Sequence, residues 1–460
     1  MFLKKYNLFL FLCSLILLVQ SCSWFGEEKQ TIPKNERIPV FNEKPTNQDS
    51  ITKKEIIKID TTLDLSLEKS NVSWHYLNGN TLNNLNNIFI ESLNLELFNT
   101  LDTNKSYKIS ESLPNLIINE DILYYINNNK EIIGINYLNP NNKNNKIFKV
   151  NLSQYIKEIV GLSLANDNTL IISTKNGILI ALSTTSGQIE WTLNLINPIT
   201  SVALSDENAT YVIANETLYS IDLYSGRINW KTIIAKPSLS VGYPSSPTLY
   251  DNYIIAGFSS GDLAILRKEN GQIVWKSNII TNNLKKLNLI SNDVIASPLI
   301  VNNKILFSSY GNITSLYDTQ KQNEKIWEKS LGTKETPIFE QNRIYLIDTN
   351  SYLNSLNSEN GEIIFSFNLM FLLNEEEKIQ EKKQKFTTMF YGPLLVNSNL
   401  LITSSKGNLY FISPKDGTLS SQFKITLDKK EFIFQKPVIV NNNIFLLSNF
   451  GKIYILKSKS

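Results

Sequence analysis

Cysteine and histidine are the side chains best suited to chemistry near neutral pH, and this chain has two of the first and one of the second in 460 residues. Cys13 lies inside an apolar run near the N-terminus, Cys22 just after it, and His75 stands alone further on. A zinc site needs three or four clustered ligands, and a Ser-His-Asp or Cys-His nucleophile needs a base with its orienting partner. Neither set can be assembled, and His75 reads as a surface or capping residue. No Walker loop is present and no Gly-x-Gly-x-x-Gly follows a strand; the carboxylates are plentiful but scattered, with no acid pair that sequence can identify. These residues point to no catalytic group, no metal site and no cofactor.

The chemistry that the sequence does support is at Cys22. Lys4 and Lys5 precede an apolar run from Leu8 to Val19. A basic start and a short apolar core make a secretory signal peptide over residues 1–21, too short to span a membrane. Val19-Gln20-Ser21-Cys22 resembles a bacterial lipobox, which implies that the Cys22 sulfur receives a diacylglyceryl group and that Cys22 becomes the new N-terminus. Two or three acyl chains, palmitate among them, give stable anchoring. Ser23 in place of Asp after the cysteine implies, by resemblance to lipoprotein sorting, the outer membrane with the body facing the periplasm. No cysteine follows Cys22, so the exported body has no disulfide and depends on packing. Residues 22–70 are polar, carry Pro33, Pro39 and Pro45, and show no sustained apolar periodicity; they read as a flexible tether.

The rest of the chain is organised by a repeat. Gly177 to Trp191 reads as a strand, a Ser-Gly turn and a second strand ending on tryptophan. The frame returns at Glu216 to Trp230 and at Gly261 to Trp275, and the turn ahead of each third strand recurs near Lys130, Gly177, Glu216, Gly261, Gly311, Ser351, Gly407 and Gly451, a period of 39 to 56 residues. In the clearest copy, strands are expected over Pro247–Tyr250, Tyr253–Phe258, Asp262–Arg267 and Gln272–Lys276, joined by Asn/Asp/Gly turns. Four meandering strands make one propeller blade. The expectation is an all-β, eight-bladed β-propeller of four-stranded antiparallel blades over residues 71–460. Pro114, Pro247, Pro298, Pro337, Pro393 and Pro437 open first strands, where a missing N–H costs no ladder bond. Trp191, Trp230, Trp275, Trp327 and Phe365 end fourth strands and are placed to wedge each blade against the next. The last unit stops after a third strand, Lys452 to Lys457; Leu93 to Phe98 is the N-terminal strand expected to complete it, with Phe98 in the tryptophan slot. Closure removes exposed sheet edges.

Two segments interrupt the repeat: an Asn/Lys-rich insertion over Leu138–Lys149, and Phe371–Phe386, whose Glu and Lys residues suggest a solvated loop or short helix. Net charge is only +3, with two of the positives in the leader, which argues against nucleic acid as a partner. The abundant asparagines fit a biased composition and carry no functional weight.

The unit Gly-x-Leu-x-Ala-Leu-x-x-x-Ser-Gly-x-Ile-x-Trp resembles the repeat of pyrroloquinoline-quinone (PQQ) enzymes, which implies the fold and not catalysis. The vicinal disulfide typical of the quinone dehydrogenases has no counterpart here. With the lipobox and eight units, the chain resembles the BamB family, lipoprotein subunits of the outer-membrane β-barrel assembly (BAM) complex, most specifically over Ser246–Trp275, Asp293–Gly311 and Tyr391–Gly417. That resemblance implies a non-enzymatic scaffold for protein assembly. One face would bind a POTRA domain of the barrel-forming BamA-type subunit and assist unfolded outer-membrane protein clients. The family's contact loop Pro-Ser-Leu-Ser-Leu-Arg-Gly corresponds to Pro237–Tyr243, so Leu239 and Val241 match and Gly242 replaces the arginine. A second contact, Asp-Val-Asp, corresponds to Asp293-Val294-Ile295, keeping Asp293. Two rival readings stand beside it: a periplasmic dehydrogenase using PQQ and calcium, and a propeller binding envelope polysaccharide.

Overall fold

The structure is a computed structural model. It describes residue 63 and residues 65–459, except 103–114, 128, 139–144, 237–244, 280–292, 312, 376 and 379–386. Among the described residues, thirty-three strands assemble into eight antiparallel sheets, seven of four strands and one of five. The repeat's clearest copy folds as Thr248–Tyr250, Tyr253–Gly257, Asp262–Arg267 and Ile273–Asn278, in that order across the sheet. Pro247, Pro298, Pro337 and Pro437 each stand immediately before a first strand. Pro393 lies within Phe390–Val396, where the register to the next strand shifts, and Pro114 lies outside the described residues.

Seven of the eight expected turn positions have left-handed backbone: Lys130, Gly177, Glu216, Gly261, Ser351, Gly407 and Gly451. At six of them the turn carbonyl accepts the N–H of the residue leaving the same blade's fourth strand: Leu152, Leu195, Ile234, Ile279, Leu369 and Ile425. All six are buried. The repeat therefore fixes the point where each blade hands the chain to the next.

The core is a ring of clusters between blades rather than one central mass. Separate apolar clusters join the first and second sheets, the second and third, and so on round to the seventh, which merges with the eighth and first. The eight-bladed propeller is thus closed. Closure is made as expected by an N-terminal strand. Leu95–Asp102 pairs with the C-terminal Lys452–Ser458, from Leu95 opposite Ser458 to Asp102 opposite Lys452.

Every outer hairpin carries the same bulge, one residue before the aromatic position. Bulges re-aim side chains, and here they turn the aromatic toward the next blade. Trp191 Nε1 donates to Leu223 O at 2.7 Å, Trp230 Nε1 to Lys268 O at 2.8 Å, and Trp327 Nε1 to Ser358 O at 3.0 Å. Each acceptor lies three residues before a turn glycine with φ near +70°, and the ring rests on that glycine. A Cβ built on Gly226, Gly271 or Gly361 would stand 2.7, 2.4 or 2.8 Å from Trp191, Trp230 or Trp327. Phe148 on Gly187 and Phe365 on Gly417 repeat the seat. Phe365 has no N–H, and Arg343 and Tyr345 instead donate to the equivalent carbonyl, Pro414 O, at 3.0 and 3.1 Å. At Trp275 the facing turn has Gln322 in the glycine position, and the indole meets Tyr317 edge-on at 5.1 Å.

The bulge corrects one expectation. Phe98 is itself the bulged residue, Asn99 takes the aromatic slot, and Phe98 is 42 % exposed beneath the Lys457 ammonium. An off-by-one shift in a strand sends a side chain to the other face.

Gly226→Ala should cost roughly 2–4 kcal/mol, from strain at positive φ plus the clash with Trp191. Trp191→Phe should cost about 1–2 kcal/mol, because it leaves the Leu223 carbonyl without its buried donor. Urea unfolding of both variants beside wild type measures these; equal stability of Gly226→Ala and wild type would contradict the seat.

Candidate functional site

Antiparallel order sends the chain alternately to two faces of the ring. One face carries the connections between blades and the turns before third strands; the other carries the turns between first and second strands. The connection face is where the sequence places its partner-binding residues. Leu239 and Val241 lie outside the described residues, as does Cys22. The ends of their loop are described and firmly held. Ile234 N–H donates to Glu216 O at 2.9 Å, and Ser245 O accepts from Val202 N at 2.8 Å. The loop thus leaves the outer strand Ile228–Ile233 of the third blade and rejoins the inner side of the fourth.

Asp293 is 3 % exposed, with Val294 and Ile295 buried beside it. Its surroundings explain why. Val294 packs on Gly257, where a Cβ would stand 2.3 Å from its methyl, and Tyr310 N–H donates to Asp293 O at 2.9 Å. The segment is the wedge between the fourth and fifth blades.

Asp293 belongs instead to a buried acidic group. Ser260 Oγ lies 2.9 Å from Glu216 Oε2 and 2.8 Å from Asp262 Oδ2. Its single hydroxyl proton can serve only one of them. Burial raises the Glu216 pKa above its ordinary value, and the Asp293 charge adds to this against the hydrogen bonds from Ser260 and Ser259. A neutral Glu216 can donate to Ser260, which frees the serine for Asp262, itself 3.6 Å from Lys276 Nζ. The group holds the root of the 237–244 loop and has no reactive arrangement. Among the described residues no group of three or more His, Cys, Asp or Glu could hold a metal ion.

His75, read as a surface or capping residue, has its Nε2 3.0 Å from Asn119 Oδ1 and 3.4 Å from Asp167 Oδ1. Of the tryptophans, Trp191 and Trp327 are at 8 % exposure and Trp230 and Trp275 are partly buried. Of the Phe371–Phe386 insertion, only part is described, and Leu373 and Glu377 in it are buried. Glu377 is 5 % exposed, accepting Lys424 Nζ at 2.6 Å and Asn408 Nδ2 at 3.0 Å. Burial works against its charge, yet these bonds hold its pKa below the ordinary value. A lone Glu in a charged run gives no sequence sign of such docking.

The sequence reading missed the opposite face. Residues 65–92, expected in part as tether, already lie on the ring: Ser66 N–H donates to Glu340 Oε1 at 2.6 Å, and Lys69 N–H to Asn87 O at 2.8 Å. Asn78, Asn83 and Asn87 within it are buried. The Asn-rich wording Asn78 to Asn87 was the available signal. These residues fold into a concavity of about 410 Å3 lined by the segment alone, His75, Tyr76 and Asn80 among its walls. No helix among the described residues is long and apolar enough to cross a membrane.

A closed ring of eight antiparallel blades, with a glycine-seated aromatic at five of the junctions, defines the class of PQQ-like β-propellers. A family model described as outer membrane protein assembly factor BamB matches residues 139–367. The chain belongs to this BamB family. It is similar to BamB of Yersinia pestis, 23 % identical over 262 residues, covering 56 % of this chain and 62 % of that protein. It is 27 % identical over 191 residues to BamB of Escherichia coli, covering 41 % of this chain and 44 % of that protein. These matches span less than two thirds of either relative. The crystal structure of BamB from Moraxella catarrhalis shares the fold, with a TM-score of 0.62 at 15 % identity, over 79 % of this chain and 99 % of that one.

Glu216→Gln tests the acidic group. The folded pKa is raised above that of the unfolded chain, so stability is greatest at low pH and falls as pH climbs from the unfolded toward the folded value. Glutamine fixes the neutral form. Thermal melts should show the variant more stable than wild type at about pH 7, with the gain gone at about pH 4; a gain that is the same at both would contradict the assignment.

Proposed function

We propose that this chain is a lipid-anchored, non-enzymatic scaffold of outer-membrane protein assembly, held at the membrane through Cys22 and facing the periplasm. Its partner is a POTRA domain of a BamA-type barrel subunit, and its role is to assist unfolded outer-membrane clients. The observation that carries this reading is the family match, whose printed description is an outer membrane protein assembly factor. The geometry supports it in two ways. The repeat spends its conserved-spacing residues on joining blades, leaving a rigid disc. The residues flanking 237–244 are bonded to the ring, Ile234 N–H to Glu216 O and Ser245 O to Val202 N–H, which fits an apolar anchor between them.

Clients dock at the rim by adding a strand. The outer strands Ile228–Ile233, Ile273–Asn278 and Leu419–Lys424 alternate exposed and half-buried residues along sheet edges that could accept another strand. Crosslinkers on these strands should capture client chains if augmentation operates.

The deciding experiment is a detergent pull-down from membranes of the native host, using the full chain with a C-terminal tag. Wild type should recover a POTRA-containing barrel protein, and Leu239→Ala/Val241→Ala, folded by circular dichroism, should lose it. Recovery by both proteins would keep the function and move the contact off these two residues. Absence of any such partner would overturn the scaffold reading.

A further inference from the structure

The N-terminal segment makes a circuit that the repeat does not require. It bonds in turn to Glu340 and Ser398 of the sixth and seventh blades, through Ser66 and Glu68. Asn71 Nδ2 then donates to Ile439 O in the eighth, and Ser73–Trp74 adds a fifth strand to the inner edge of the first. His75 O accepts from Leu164 N–H of the second, and the Tyr76 hydroxyl donates to Ser205 O of the third. Asn83 Nδ2 donates to Pro247 O of the fourth at 2.9 Å, and Asn84 Nδ2 to Phe339 O of the sixth at 3.1 Å. Ile88 finally brackets the seventh: its N–H donates to Leu395 O and its O accepts from Asn397 N–H, both at 2.9 Å. All these partners lie on first strands, on the turns that end them or, for Pro247, immediately before one. A short segment touching the inner strands of seven of the eight blades must lie across the ring's axis.

Two features make this a built closure rather than a chain at rest on a surface. First, the segment crosses itself, Lys69 paired in parallel with Ile88 and Asn87 Nδ2 donating to Ser66 O at 3.0 Å, so its ends are tied together. Second, its polar side chains form a bridge through the axis. Lys436 Nζ of the eighth blade bonds Asn78 Oδ1, Asn78 Nδ2 donates to Asn83 Oδ1 at 2.9 Å, and Asn83 Nδ2 donates to Thr248 Oγ1 at 2.8 Å. Thr248 Oγ1 continues to Pro298 O of the fifth blade at 2.5 Å. The blade that the segment's own bonds miss is thus joined through Thr248. Trp74, Ile88 and Ile90 sink into the cluster that closes the ring.

We infer that residues 65–92 are a strap that seals one mouth of the ring's channel and bonds the inner strands together, occupying the place where a propeller would admit a ligand. Inner strands are sheet edges, and their unpaired N–H and C=O groups need partners. The strap supplies them from within the chain. A ligand or partner segment must then use the connection face or the rim. This inference stands apart from the scaffold reading and would survive its failure.

Hydrogen exchange on the full chain tests it. The amides of Leu164, Leu249, Asn397 and Asn441 donate to strap carbonyls and report its closure; amides of Ile180 and Leu266, inside middle strands, report the blades. In wild type the four reporters should be protected. In Asn83→Ala/Asn87→Ala they should exchange on the order of tenfold faster or more while the blade amides hold. Reporters that exchange in wild type like open edges would overturn the strap. So would a variant in which blade amides accelerate as much as the reporters, since the segment would then be ordinary core.

Discussion

The fold depends on one recurring contact, an aromatic ring laid on the turn glycine of the next blade. The seat works because two constraints coincide at one residue. Glycine is needed there for a backbone near φ +70°, and it is also needed because any Cβ would enter the ring's space. The same turn then offers a carbonyl to the indole N–H, so a large apolar surface is buried without orphaning its polar atom. A sheet packed on its neighbour by apolar area alone could slide; a seat with a directional bond sets height and angle together. Where the seat changes, its neighbours compensate. Phe365 lacks the donor, and Arg343 and Tyr345 fill the carbonyl's need from the strand beside it. Arg343 is wholly buried for this purpose.

That contact is also why so much of the fold was legible in the sequence. Glycine, a four-residue step and tryptophan form a pattern that local geometry imposes and that recurs with the blade. The same legibility stops where tertiary placement decides. Phe98 looks like a wedge by type and rough position, but a single bulge residue moves the slot to Asn99, and no composition rule counts that residue. Asp293 matches a family contact by alignment, yet its burial between blades depends on Gly257 yielding room to Val294. Glu377 sits in a charged run like its neighbours and is singled out only by Asn408 and Lys424 across the chain. The candidate site was therefore read mainly by resemblance, and the structure adds how Ile234 and Ser245, on either side of 237–244, are bonded.

The strap was illegible for a different reason. Its hold is made by amide side chains on backbone groups and by isolated bridges, neither of which has a period. Asparagine suits this because one short side chain both donates and accepts, so Asn87 can bond Ser66 O, Ser398 Oγ and Ser398 N at once. The composition that looked like background thus contains specific connectors. They are told apart by burial: Asn87 is fully buried, while Asn86 next to it is exposed.

Closure and strap together address a cost inherent in the topology. Leu95 pairs with Ser458 across nearly the whole chain, and pairings of such long sequence separation pay loop-closure entropy before they return any contact. No disulfide after Cys22 can share that cost. Residues 65–102 offset it with numerous contacts at both the hub and the rim. The strap touches inner strands at one mouth while Leu95–Asp102 completes the outermost strand of the eighth blade, and Ser92, at the join, bonds Ser458 from both its N–H and its carbonyl. One continuous segment thereby binds the hub and the rim of the same ring. Loosening either end exposes the other, which makes closure cooperative rather than dependent on a single edge-to-edge pairing.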